Sequence, residues 1–230
     1  MTRQLVVVSA GLSSPSSTRL LADRIAQAVE SRVGARGEAL EVHHVELRDL
    51  ALPLAQAMTT GGLPDPHLDE VKRLVAQADG LVAVTPIFRA SYSGLFKMFF
   101  DVLDDEALID LPVLIAATAG TPRHSLVLDH ALRPLFSYSR AVVLPTGVFA
   151  ATDDFGSGDT GGLESRIARA ASEMATALVA ESAGVEGFLP PSPPGRHVAA
   201  AWTWVRSRTS RAFSRATTAP DGLTELSEDP

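Results

Sequence analysis

The 230 residues include no cysteine, two tryptophans and two tyrosines. Without thiols the chain can form no disulfide, thiolate metal site, iron–sulfur cluster or internal redox dithiol, so any electrons it handles must travel on a bound cofactor. Long apolar runs are missing too. No stretch approaches the ~18 residues of a membrane-spanning helix, and only Arg3 precedes the strand-like run Leu5-Val-Val-Val8, where a targeting segment would sit. Positive charge is in deficit, since 20 Lys and Arg against 27 Asp and Glu leave a formal charge of -7. That balance argues against a general nucleic-acid binder. The absences together lead to the expectation of a cytoplasmic protein with no membrane span.

What is present is alternation. Apolar, β-branched runs at residues 4–9, 40–46, 80–85, 112–119 and 142–149 are separated by helical patterns at 16–33, 66–78, 93–104 and 125–139, with a last helix at 162–183. Short apolar runs of this kind mark strands covered on both faces. Five strands and five helices in alternation predict an α/β fold, a doubly wound five-stranded parallel sheet of flavodoxin-like order 2-1-3-4-5 with helices on both faces. The proline cluster Pro190-Pro-Ser-Pro-Pro-Gly195 interrupts the pattern and reads as an extended spacer. One domain is therefore expected over residues 1–185. Residues 186–230 form a Pro-rich linker and a basic, aromatic tail with Trp202, Trp204, Phe213, Arg206, Arg208, Arg211 and Arg215. Two readings of the tail stay open: a mobile extension or a helix packed on the parent domain, and a docking helix for an acidic partner or a membrane surface.

Ligands of open parallel sheets bind outside the carboxyl ends of the strands, and three strand ends here carry suitable groups. The first strand delivers Ser9-Ala-Gly-Leu-Ser-Ser-Pro-Ser-Ser-Thr18 into a helix, gathering hydroxyls and free helix N–H groups where an anion binds well. Ser9, Gly11, Ser13, Ser16, Ser17 and Thr18 are the candidates. The same serines would also serve as an ordinary helix cap. The loop matches neither G-x-x-x-x-G-K-[S/T] nor G-x-G-x-x-G, so a nucleotide P-loop and a dinucleotide turn are both unsupported. The third strand is read as ending in a proline turn, Pro86-Ile-Phe-Arg89, that opens directly into a helix. Pro86 has no N–H, so backbone donors begin at Ile87. The fourth strand ends in Thr118-Ala-Gly-Thr-Pro122, where Gly120, between Ala119 and Thr121, would admit a close backbone approach.

The segment Thr85-Pro-Ile-Phe-Arg-Ala-Ser-Tyr-Ser-Gly-Leu-Phe-Lys97 resembles the pattern T-P-x-Y/F-x-x-S-x-x-G-x-L/F-K of the NAD(P)H-dependent FMN reductase family. With the other two loops, the resemblance covers roughly residues 4 to 180. It is closest to reductases that serve two-component flavin-dependent monooxygenases, the alkanesulfonate-system type, which Arg123-His-Ser-Leu-Val-Leu-Asp-His-Ala-Leu-Arg-Pro-Leu-Phe136 resembles, including their x-x-x-D-x-A-L-[K/R]-P pattern. The resemblance implies hydride transfer from NADPH or NADH to FMN, reduced flavin supplied to a partner monooxygenase, and a homodimer or homotetramer. In the family the first loop holds the flavin phosphate, while the turns matching Pro86, Ile87, Phe88 and Arg89 and Thr118, Ala119, Gly120 and Thr121 line the ring. The first loop departs from the family's G-S-x-R opening, since Ala10-Gly-Leu-Ser13 has no arginine. Micromolar FMN binding, about -8 kcal/mol, is the expectation that follows. Pro134 removes a helix hydrogen bond and predicts an irregular turn just before it. Relatives carry a π-type widening there, at an oligomer interface, with tyrosine where His130 stands.

No catalytic side chain and no metal site are expected. His43 and His44 are adjacent on a strand and point to opposite faces, and His124 and His130 lack the i,i+4 spacing of a helical ligand pair. Hydride transfer needs no side-chain acid or base, because the flavin carries the chemistry. A flavin-bound quinone or metal-oxyanion reductase of the same fold, and a non-enzymatic flavodoxin-like carrier, stay open as alternatives. No ribose-phosphate motif indicates which nicotinamide is preferred.

Overall fold

The computed structural model describes residues 2–155 and 161–180. The expected domain boundary near residue 185, the proline cluster and the basic aromatic tail lie outside them.

The sheet is built from β1 (Thr2–Ser9), β2 (Ala39–Glu46), β3 (Gly80–Phe88), β4 (Ser91–Tyr92), β5 (Pro112–Ala119), β6 (Val142–Val143) and β7 (Val148–Ala151). Its order is β2-β1-β3-β5-β6, with β7 also on β5 and β4 turned back on β3. Apart from the antiparallel β3–β4 pair, the pairings are parallel. The expected flavodoxin-like order thus holds, with two differences in detail. The last strand is split in two, because Pro145 cannot donate to a ladder and Thr146 turns both its N–H and its hydroxyl to Glu173, at 2.9 and 2.6 Å. The other difference concerns β3, which runs through Pro86 to Phe88 instead of ending there.

Alternation along the three central strands explains why both faces are covered. Val6, Val8, Leu81, Ala83, Val113 and Ile115 enter one core; Leu5, Val7, Val82, Val84, Leu114 and Ala116 enter the other. The second core is closed by α1 (Ser17–Gly34), through Leu21, Ile25 and Val29, and by α6 (Gly161–Ala180), through Leu163, Ile167 and Met174. The first is closed by α2 (Ala51–Thr60), α3 (Pro66–Gln77), α4 (Gly94–Asp101) and α5 (Arg133–Tyr138). Among the described residues no helix is long and apolar enough to cross a membrane.

Helix α2 was not expected from the sequence. Pro53 argues against a helix there, but it falls in the first turn, where its missing N–H costs nothing. The irregularity expected before Pro134 is present as a π-helical turn over Leu128–Leu132, containing His130 and leading straight into α5. An aromatic cluster joins this region to α4: Phe96 and Phe100 both pack on Phe136, with ring centroids 6.2 and 4.9 Å apart.

Candidate functional site

The carboxyl ends of β1, β3 and β5 are neighbours, and the register aligns the loops that leave them. Ser9 pairs with Val84, Ala10 N donates to the Val84 carbonyl at 2.9 Å, and Pro86 lies opposite Thr118. Residues 9–18, 85–92 and 118–121 therefore rise from one edge of the sheet, as the sequence led us to expect. The first and third are also joined directly. The hydroxyls of Thr18 and Thr118, 100 residues apart, meet at 2.8 Å with both residues buried, 2% and 4% exposed.

Within the first loop the hydroxyls divide their work. Ser16 is the N-cap of α1, its Oγ accepting from Arg19 N at 3.2 Å. Its proton stays available, because a hydroxyl both accepts and donates. Thr18 is spent on the tie to Thr118, whereas Ser17, in the first turn of an 18-residue helix, is exposed. Ser9 is buried at the strand end and Ser13 is exposed. Gly11 belongs to the loop's own packing, since a Cβ there would lie 2.0 Å from Ser16 Oγ.

The second loop is a hairpin, which corrects the expectation of a turn opening directly into a helix. Ile87 pairs with Tyr92 and Phe88 with Ser91, so Arg89 and Ala90 alone make the turn, both left-handed at φ 50° and 65°. Turns of this hand match strand twist but usually use Asn or Gly. Thr85, fully buried, fixes the hairpin base: its hydroxyl accepts from Ser93 N at 3.1 Å and donates to the Pro86 carbonyl at 3.0 Å. Ser93 in turn caps α4 through Phe96 N. Ile87 is half-buried, and Phe88 and Arg89 are exposed.

In the third loop Thr118 is buried, Ala119 and Thr121 are half-buried and Gly120 is exposed. Among the described residues, apart from its two chain neighbours, no atom lies within 4 Å of where a Gly120 Cβ would stand, and its backbone is not left-handed. The fold does not require glycine here. The loop then closes on a short 3-10 turn, Pro122–His124, capped by the Thr121 hydroxyl.

A matching family model, described as NADPH-dependent FMN reductase, covers residues 3–156. The chain belongs to this family. It is an NAD(P)H-dependent FMN oxidoreductase, with FMN as flavin and a pyridine nucleotide as hydride donor. An NADH-dependent FMN reductase, SfnE of Pseudomonas putida, is 44% identical over 146 residues, 64% of this chain and 75% of that protein. An FMN reductase (NADPH) of Pseudomonas aeruginosa is 42% identical over 154 residues, 66% and 78% of the two chains. An oxidoreductase from Corynebacterium diphtheriae of known structure is 57% identical, with a TM-score of 0.75 over 78% of this chain and 98% of that one.

Charged groups crowd the outer side of the first loop. Arg19, the first cation after it, turns away to Asp23 and Glu46, both at 2.7 Å. His44 faces Asp23 at 3.4 Å, and burial, with the Arg19 charge next in weight, holds its pKa below the usual 6.5. Arg48, in the 3-10 turn Leu47–Leu50 after β2, reaches the Ser13 carbonyl. Neither Arg48 nor the Thr18–Thr118 tie was singled out from the sequence. The position of Arg48 at the carboxyl end of the strand beside β1 was the available signal. For the threonine pair nothing in the sequence links the two positions.

Proposed function

We propose that residues 9–18 hold the phosphate of FMN and that the hairpin at Pro86, Ile87, Phe88 and Arg89, with Thr118, Ala119, Gly120 and Thr121, holds its ring. The observation that carries this reading is the empty space over Gly120. A glycine that the protein's packing does not need, on the loop tied to the first one by two threonines, suits a flat ring lying against the main chain. Ser16 and Ser17 at the start of α1 suit a phosphate monoester, since they put two hydroxyls at a helix N-terminus with unpaired N–H groups. Bound FMN supplies the hydride-accepting chemistry. The chain's part is to orient the ring edge with main-chain dipoles from Ile87 onward, which favour the charge that reduction places there. No side chain is assigned as acid or base.

The further reading is that reduced FMN leaves for a separate flavin-dependent monooxygenase in the cytoplasm, and that the protein works as a homodimer or homotetramer. The exposed apolar groups around the π-helical turn, Tyr138 (90% exposed), Leu126 and Val142, support a self-association face there. Stopped-flow mixing of NADPH or NADH with the flavin-loaded protein should bleach the yellow absorbance, and turnover should be faster with free FMN than with quinones. A protein that turns over quinones well and free FMN poorly is a quinone reductase, and the shuttle reading then fails. Light scattering during gel filtration should give at least twice the chain mass of 24.3 kDa; a monomer at working concentration contradicts the assembly.

A further inference from the structure

We infer that Arg48 supplies the positive charge that the first loop lacks and engages the phosphate of FMN; this rests on reading residues 9–18 as the phosphate site. Those ten residues contain no lysine or arginine. Arg19, next in the chain, turns its side chain to Asp23 through Nε and to Glu46 through Nη1, and among the described residues it makes no side-chain hydrogen bond to the loop. A phosphate arriving at this loop would meet three carboxylates nearby, those of Asp23, Glu46 and Asp49, and like charges oppose its binding.

The sheet brings a second arginine to the same place. Ser9 at the end of β1 lies opposite Glu46 at the end of β2, so the 3-10 turn Leu47–Leu50 rises beside the first loop. Arg48 Nε faces Glu46 Oε2 at 3.0 Å and Asp49 Oδ1 at 3.6 Å. Its Nη1 lies 3.4 Å from the Ser13 carbonyl, long for an N–H···O bond. Nη2 donates to no protein group among the described residues. Nε thus faces two carboxylates, Nη1 comes within reach of the loop, and Nη2 has no protein acceptor among the described residues. An anchored planar fork with free donors is the arrangement that suits phosphate. The Arg48 side chain is 36% exposed, so replacing it leaves the core intact.

The competing role is a neutral brace for the Ser13 carbonyl, and a charge-specific experiment separates the two. FMN and riboflavin, which lacks the phosphate, are titrated by flavin fluorescence into the parent protein, Arg48→Gln and Arg48→Lys at low and high ionic strength. Arg48→Gln should weaken FMN about twofold to fivefold at low ionic strength, leave riboflavin unchanged and flatten the salt dependence. Arg48→Lys, which keeps the charge and loses the fork, should bind FMN between the parent and Arg48→Gln and keep the salt response. Parental FMN binding by Arg48→Gln, equal losses for FMN and riboflavin, or an FMN loss with undiminished salt dependence would each overturn the assignment. A parent protein that binds riboflavin as tightly as FMN overturns the phosphate-loop reading itself, a different failure from that of Arg48.

Discussion

Gly11 and Gly120 each follow closely on a buried parallel strand, β1 and β5, yet they are glycines for opposite reasons. At Gly11 the protein fills the space: Ser16 Oγ would stand 2.0 Å from a Cβ, and Thr18 Cβ 3.2 Å from it. At Gly120 the protein leaves it open. The first glycine lets the loop fold back onto the cap of α1, so its cost when lost falls on folding. The second costs folding nothing, so a loss there falls on whatever lies against the loop. Between them the Thr18–Thr118 bond makes one rigid edge out of a loop that packs on itself and a loop that faces outward.

Substitutions can break this contrast or sharpen it. Gly11→Ala forces Ser16 out of its capping position and crowds Thr18, and should cost about 2–3 kcal/mol in urea unfolding. Full stability would show that the loop yields and that Gly11 has no packing duty. Thr118→Val leaves the Thr18 hydroxyl buried without a partner, for a loss of about 1–2 kcal/mol. Adding Thr18→Val should recover part of that loss. Strictly additive losses in the double variant would mean that the two hydroxyls do not act as a pair. Ala90→Gly relieves a left-handed residue in the hairpin and should raise stability by about 1 kcal/mol; unchanged stability would mean that the turn is unstrained.

Gly120→Ala should leave unfolding within about 0.5 kcal/mol of the parent while weakening FMN severalfold, the reverse of Gly11→Ala. Equal FMN affinity would place the ring elsewhere. The smallest effect concerns His44. Its folded pKa lies below 6.5, so the unfolded chain takes up the proton first. Stability contributed by the neutral imidazole is present above pH 6.5 and is lost as pH falls through the folded value. His44→Gln should flatten that acid-side slope in thermal unfolding, and an unchanged slope assigns it to other groups.

The three strand ends were legible because a run such as Gly80-Leu-Val-Ala-Val-Thr85 has nowhere to go but the middle of a parallel sheet, and its exit is then a ligand-facing loop. Helix α1 was legible from Ser16, Leu21, Ile25 and Val29. Local pattern could not show what distant pairing decides. The hairpin was missed because Arg89-Ala90 is not a sequence that advertises a left-handed turn; buried Thr85 and the β3–β4 pairing impose it. The tie between Thr18 and Thr118 and the reach of Arg48 to Ser13 exist only once β1 lies between β2 and β3.

A crystal structure of the protein saturated with FMN tests the central claim most directly. The account predicts the phosphate against Ser16 and Ser17 and the ring between residues 87–90 and 119–121, over Gly120. FMN bound at another edge of the sheet, or a ring turned away from Gly120 with the phosphate outside residues 9–18, would contradict it.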